Sequence, residues 1–152
     1  MEPVASVVIY SDYGLGGRTD WREMKEVLAA VARQDFTEPA ELILVESADR
    51  RESIPADLTA ILPSLKVVVS PAVHSAALKN DGVRAATAPI VGMLPADCLP
   101  APDWIRRFVE LFSGDPDQLA KKIDAAAQTD ASRLLAAPAE PTKPPQKKRR
   151  RA

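Results

Sequence analysis

The stretch Ile90-Val-Gly-Met-Leu-Pro-Ala-Asp97-Cys is an apolar run that stops at a single carboxylate. Apolar runs bounded by turn residues are typical of strands that are buried on both faces of a parallel sheet. In such sheets ligands bind outside the carboxyl ends of the strands, so an aspartate just past a central strand lies where chemistry usually takes place. We therefore expect a parallel sheet whose central strand brings Asp97 to a ligand-binding edge.

Three further apolar runs precede this strand, and helical segments separate them. The runs are residues 5–10, 41–45 and 66–69. Helical patterns cover residues 20–31, 57–62, 72–86 and 103–112, whereas residues 48–55 are predicted to form a charged loop. Strands that alternate with helices indicate parallel pairing through right-handed crossovers. The fold class predicted is α/β, a three-layer sandwich with a mostly parallel sheet.

The helical segment 72–86 contains a glycine. Its apolar side is formed by Val73, Ala76, Ala77 and Val83. Gly82 inside a helix costs about 1 kcal/mol relative to alanine. The glycine therefore indicates either a bend in the helix or a close approach of another part of the chain.

Polar side chains follow all four apolar runs. They are Ser11 with Asp12, Glu46 with Ser47, Ser70, and Asp97. Because the carboxyl ends of parallel strands lie at one edge of a sheet, we expect these groups to share a crevice.

Composition limits the class of protein. The chain of 152 residues is long enough for one domain with a real core, and its single cysteine, Cys98, excludes an internal disulfide. We find no apolar stretch of membrane-spanning length and no signal-peptide pattern at the N-terminus, so we expect a soluble cytoplasmic protein without a transmembrane segment.

The net charge of −1 hides an uneven distribution. Residues 138–152 carry six basic side chains against one acidic side chain, so the rest of the chain is acidic. An acidic body argues against a specific nucleic-acid partner, although the tail alone could contact phosphate. We predict a domain over residues 1–117, an Ala-rich helix over 118–137 and a disordered Pro/Lys/Arg tail over 138–152.

The order of these segments resembles the N-terminal, nucleotide-sugar-binding half of the family-two glycosyltransferases, which have the GT-A fold. Four stretches carry the resemblance, and the last two are the specific ones: residues 6–9, 41–47, 79–86 and 90–104. The resemblance extends from about Val4 to about Asp117.

The resemblance implies transfer of a sugar from a nucleoside-diphosphate sugar to an acceptor of unknown identity. It also implies a divalent cation, Mn²⁺ or Mg²⁺, at a D-x-D motif, because a departing diphosphate carries charge that a metal neutralises. Asp97 matches the last carboxylate of that motif and is the implied metal ligand. Glu46 matches the acidic position that contacts the nucleoside, Ser11 lines the same pocket, and Lys79 matches a basic position near the donor.

Two departures from the family pattern limit what the resemblance implies. Pro95 occupies the position of the first carboxylate of the motif. The acceptor-binding half, which supplies the catalytic base, is replaced by the Ala-rich segment and the basic tail. We therefore expect a truncated donor-binding domain with no assignable catalytic residue, and whether it is an enzyme stays open. The alternative is a non-catalytic α/β nucleotide-binding or interaction module derived from a glycosyltransferase.

Each candidate residue also has a purely structural interpretation. Without the resemblance, Asp97 is more typical of a turn cap, and Glu46 could be a solvated strand end. We interpret His74 as a capping or surface group, because it has no partner at metal-ligand spacing. Cys98 is interpreted as a small buried or half-buried residue, and residues 14–17 as a flexible glycine turn.

Overall fold

The computed structural model of the protein describes residues 1–11, 20–115 and 117. The chain divides into two units, Met1–Gly114 and Asp115–Ala152, and the elements below belong to the first. The predicted glycine turn at residues 14–17, the Ala-rich segment at 118–137 and the basic tail at 138–152 lie outside the described residues, so those predictions stay predictions.

Strands and helices alternate along the first unit. In chain order they are β1 (Ala5–Tyr10), α1 (Trp21–Ala32), β2 (Ala40–Ser47), a 3₁₀ helix (Ala48–Ser53), α2 (Leu58–Ile61), β3 (Leu65–Ser70), α3 (Ser75–Ala85), β4 (Ile90–Pro95) and α4 (Trp104–Phe112). The predicted order is confirmed, except that a 3₁₀ helix forms most of the predicted charged loop. Asp20 caps α1, because its carboxylate accepts a hydrogen bond from the backbone N–H of Arg22 at 3.3 Å.

The sheet is parallel throughout, with the strand order β3-β2-β1-β4. All six residues of β1 are buried, because it has a neighbouring strand on each side and helices on both faces. β4 differs from the prediction: only Leu94 of its six residues is buried. Within the part of the chain that the structure describes, β4 pairs with β1 alone. The expectation of a central strand is therefore wrong for β4.

Helices cover both faces of the sheet, which confirms the three-layer architecture. Along each strand, successive side chains point to opposite faces of the sheet. Helices α1, α2 and α4 cover one face and bury the side chains that point to it. This first core contains Val7, Ile9, Leu42, Leu44 and Leu94 from the sheet and Met24, Leu28, Leu58 and Ile105 from the helices. On the other face, Leu78 of α3 packs against Val8, Tyr10, Ile43 and Val45.

Gly82 marks a close contact between α3 and the sheet. A Cβ placed on Gly82 would lie 2.2 Å from Val8 Cγ1 and 3.0 Å from Val45 Cγ2. The glycine therefore permits close approach. The predicted packing side of α3 is wrong, since Leu78 and Gly82 are buried while Val73 and Val83 are each 45% exposed. Helix α3 therefore packs against the sheet through the side that carries Leu78 and Gly82.

The strand order reverses beside β1. The chain passes from β1 to β2 and β3 on one side, and β4 then lies on the other side of β1. At such a point the connections diverge and leave a crevice at the carboxyl ends of the strands. The Ala96 N–H donates to the Tyr10 carbonyl at 2.8 Å, so pairing continues one residue beyond β4 and brings Asp97 to this edge.

Within residues 1–11, 20–115 and 117, no helix has the length and apolar character that a membrane span requires.

Candidate functional site

Two predicted site residues are in direct contact at the carboxyl edge of the sheet. Tyr10 of β1 pairs with Val45 of β2, so the next residues, Ser11 and Glu46, lie side by side. The Ser11 hydroxyl donates a hydrogen bond to Glu46 Oε2 at 2.8 Å, and both residues are fully buried. The interpretation of Glu46 as a solvated strand end is therefore wrong.

Glu46 is held at both carboxylate oxygens. Its Oε1 accepts from the backbone N–H of Ser47 at 2.8 Å and from the Ser47 hydroxyl at 3.4 Å. Its Oε2 lies 3.2 Å from Arg50 Nη1, in addition to the Ser11 contact. Ser47 also donates to the Asp49 carboxylate. A buried carboxylate needs such compensation, because leaving water is costly for a charge.

Arg50 connects this cluster to α1. Its guanidinium lies over the ring of Trp21, 4.4 Å from the ring centroid, in a geometry typical of a cation–π interaction. Sequence reasoning missed both residues, because Arg50 falls in the segment predicted as charged loop. The one available signal was the four-residue spacing between Glu46 and Arg50 at a strand exit.

Lys79 of α3 contacts the last residue of β1 on the other face of the sheet. Its ammonium lies 4.7 Å from the ring centroid of Tyr10, the last residue of β1. Tyr10 precedes Ser11 in the chain, so Lys79 lies near the carboxyl end of β1, and its predicted role in the site stays a prediction. A half-buried cation beside an aromatic ring keeps a defined position at modest cost.

A second polar cluster fixes α3 to the end of β3. The Ser70 hydroxyl donates to Asp81 Oδ2 at 2.5 Å and accepts from the backbone N–H of Ala72 at 3.1 Å. Arg84 donates to Asp81 Oδ1 at 2.7 Å. The hydrogen bond from Ser70, together with Arg84, outweighs burial and lowers the pKa of the Asp81 carboxyl. Sequence analysis placed Ser70 at this edge but missed Asp81, which is two residues from Lys79.

Asp97 lies at this edge and is exposed. The Cys98 thiol donates to Asp97 Oδ1 at 3.5 Å, and Cys98 is exposed, so its interpretation as a buried or half-buried residue is wrong. His74 is exposed at the N-cap position of α3, as a capping or surface group would be. The structure thus joins Ser11 to Glu46 directly and brings Lys79 beside Tyr10. Asp97 follows β4, the strand that pairs with β1, and its carboxylate contacts Cys98.

The described residues offer few ligands for a metal ion. Among residues 1–11, 20–115 and 117 there is no cluster of three or more His, Cys, Asp or Glu side chains that could hold one. Pro95, two residues before Asp97, supplies no carboxylate. Mg²⁺ is commonly held by one or two carboxylates together with substrate phosphates, so an exposed Asp97 fits one protein ligand of such a site.

A sequence profile of Glycosyl transferase family 2 matches residues 18–150. The chain belongs to glycosyl transferase family 2. The match continues well past Asp117, where the resemblance based on the motifs ends. Membership in this family confirms the resemblance inferred from the four stretches of sequence. A glycosyltransferase domain implies a nucleotide-sugar donor and an acceptor, and enzymes of the family are often dependent on a divalent metal.

The crystal structure of S. aureus TarS is similar to this glycosyltransferase family 2 domain, with a TM-score of 0.54 and 19% sequence identity. The similarity covers 72% of this chain and 19% of the TarS chain. At this identity the likeness supports the fold alone, and it agrees with a GT-A, Rossmann-like arrangement. Comparison with curated proteins gives no match.

Proposed function

We propose that the family 2 domain binds a nucleoside-diphosphate sugar in the crevice at the carboxyl ends of β1, β2 and β4. The observation that carries the proposal is the buried hydrogen bond between Ser11 and Glu46 at neighbouring strand ends. Polar groups at this edge are expensive to bury. Their convergence beside the reversal in strand order supports a ligand-binding role.

The four candidate residues divide between the two chemical parts of the donor. Ser11 and Glu46 are the proposed contacts of the nucleoside, since hydroxyl and carboxylate oxygens accept hydrogen bonds from the N–H and O–H groups of a base or ribose. Lys79 supplies positive charge for the diphosphate. Its ammonium faces the Tyr10 ring, and a diphosphate would be an additional partner for it.

Asp97 is the proposed ligand for Mn²⁺ or Mg²⁺, with the donor diphosphate completing the coordination. When bound, the cation neutralises the charge that develops on the departing diphosphate. The exposure of Asp97 supports this role, because the carboxylate is accessible to a solvated ion. The proposal covers donor binding. It assigns neither the acceptor nor the catalytic base.

A second candidate function is a non-catalytic nucleotide-binding or interaction module derived from a glycosyltransferase. Pro95 favours it, because proline at the first motif position removes one of the two carboxylates with which the family holds its metal. The two candidates differ in whether binding of the nucleotide depends on a metal ion.

Isothermal titration calorimetry with the full chain tests the proposal. The ligands are UDP, GDP and CDP, each titrated with Mn²⁺, with Mg²⁺ and with EDTA. We expect binding of at least one nucleotide that weakens by about tenfold or more without metal, since metal coordination of the diphosphate is lost. Asp97→Ala should bind the same nucleotide with an affinity that no longer responds to the metal.

Asp35→Ala is the matched control, because Asp35 is an exposed carboxylate beyond the C-terminal end of α1, away from the carboxyl edge. It should keep the metal dependence of the wild type. Metal-independent binding would instead favour the non-catalytic module. Absence of binding for every nucleotide would contradict the donor-binding proposal itself.

A further inference from the structure

We propose that Arg50 is a positioning residue of the donor site, which fixes the Glu46 carboxylate and thereby determines which nucleoside the domain accepts. This inference rests on the proposed function, because it takes Glu46 as a contact of the nucleoside. Arg50 itself is assigned no contact with the donor.

Arg50 contacts residues of two different elements, Trp21 of α1 and Glu46 of β2. Its side chain is only 8% exposed, although arginine is rarely buried in proteins. The Trp21 ring of α1 lies 4.4 Å from one side of the guanidinium, and Glu46 Oε2 of β2 lies 3.2 Å from Nη1. The side chain therefore joins β2, the 3₁₀ helix that carries it, and the first residue of α1.

The chemistry of the guanidinium suits this task. A planar guanidinium can stack on an aromatic ring through its face and form an ion pair through its edge at the same time. The Trp21 contact and the ion pair with Glu46 together limit where the guanidinium lies beside the carboxylate. Lysine would retain the charge but would lose this orientation.

A carboxylate that is held in one orientation can discriminate between nucleobases. Ser11 donates a hydrogen bond to Oε2 of Glu46, Arg50 forms an ion pair with the same oxygen, and the Ser47 N–H donates to Oε1. Bases differ in where they present N–H donors, and a site with fixed buried polar groups rejects a ligand that leaves them unpaired. A carboxylate free to rotate would adapt to several bases and would lose this selectivity.

A loss of stability in an Arg50 variant would not distinguish a positioning role from a purely structural one. Removing Arg50 takes away a cationic partner of the buried Glu46 charge, which destabilises a fold whether or not a ligand binds there. The distinguishing measurement is the ratio of affinities for different nucleotides. Inorganic pyrophosphate, which has no nucleoside, reports on the diphosphate part of the site.

The experiment compares the full-length wild type with Arg50→Lys and Arg50→Met. Dissociation constants for UDP, GDP, CDP and inorganic pyrophosphate are measured by calorimetry in the presence of Mn²⁺. We expect the ratio of affinities between the preferred and the other nucleotides to fall about tenfold or more in Arg50→Met and by less in Arg50→Lys. The affinity for pyrophosphate should stay within about twofold of the wild type. Arg107→Met is the matched control, because Arg107 lies on α4 with 71% of its side chain exposed, and it should change neither quantity.

Unchanged selectivity in the Arg50 variants would overturn the inference, and so would an equal loss of affinity for nucleotides and pyrophosphate. If Arg50→Met does not fold, the comparison of wild type with Arg50→Lys decides. Equal affinity of the wild type for all three nucleotides would overturn the inference and leave the proposed function intact. A wild type that binds no nucleotide would overturn both.

Discussion

At the scale of single residues, burial distinguishes the two carboxylates of the candidate site. Glu46 is fully buried and held by Ser11, Ser47 and Arg50, whereas Asp97 is exposed beside Cys98. A buried and fixed carboxylate is suited to recognition, because its geometry is set before a ligand arrives. An exposed carboxylate is suited to a metal ion that enters from water with its own hydration shell.

Gly82 gives a prediction at the same scale. In Gly82→Ala, the new methyl group would overlap Val8, whose β-branched side chain has little rotamer freedom. Alanine gains about 1 kcal/mol in helix propensity, but overpacking costs more. We expect the free energy of unfolding to fall by about 1–3 kcal/mol, measured by urea denaturation.

The control for this prediction is Gly114→Ala. A Cβ at Gly114 would have its nearest neighbour, the Leu111 carbonyl oxygen, at 3.8 Å, which is ordinary contact. Its unfolding midpoint should stay close to that of the wild type. If Gly82→Ala proves as stable as Gly114→Ala, the close approach of α3 to β1 is incorrect.

At the scale of elements, a cluster at the amino ends of the strands joins β1, β2 and the segment before β4. Glu41 Oε2 accepts from the Ser6 hydroxyl at 2.7 Å and from the backbone N–H of Thr87 at 2.8 Å. Lys66 of β3 lies 3.7 Å from the other oxygen. The cluster ties the connection after α3 to the end of the sheet opposite the candidate site.

The pKa of Glu41 predicts how this cluster responds to acid. Burial raises the pKa of its carboxyl, but the hydrogen bonds from Ser6 and Thr87 and the charge of Lys66 outweigh burial, so the pKa is lowered from 4.5. A lowered pKa in the folded state gives stability that is present above pH 4.5 and is lost as pH falls through the folded-state pKa. Between about pH 6 and about pH 3, the wild type should therefore lose more stability than Glu41→Gln. The measurement is the midpoint temperature of thermal unfolding at each pH.

Glu26→Gln on the exposed side of α1 is the matched control for the acid response. It should follow the wild-type curve. An identical pH dependence for wild type and Glu41→Gln would show that Glu41 contributes nothing to acid sensitivity.

At the scale of the whole molecule, stability should be distributed unevenly across the sheet. β1 has two strand neighbours and no exposed residue, while β4 has one described neighbour and a single buried residue. Backbone amides in strands with few buried contacts exchange through partial opening, whereas those in a central strand require global unfolding. We expect native-state hydrogen exchange to report a lower opening free energy for β4 than for β1. Equal protection of the two strands would contradict this ranking.

Much of the architecture was predictable from sequence, because alternation of apolar runs with helical patterns restricts the connections of a parallel sheet. The meeting of Ser11 with Glu46 followed from the same rule. The position of β4 at the edge of the sheet formed by the described residues was not predictable, since an edge strand partly covered by helices has the same apolar pattern as a central one. Arg50 was missed because burial of a charge depends on partners distant in sequence, here Trp21, and local composition shows only a polar loop.

The contact at Gly82 also bears on how changes inside the protein affect its outer rim. Lys79 precedes Gly82 by less than one helical turn, and the close contact leaves α3 little room to slide over β1. The position of the Lys79 ammonium over the Tyr10 ring thus depends on the contact between Gly82 and Val8. A substitution at Val8, remote from solvent, should therefore shift α3 and with it the position of Lys79 over Tyr10.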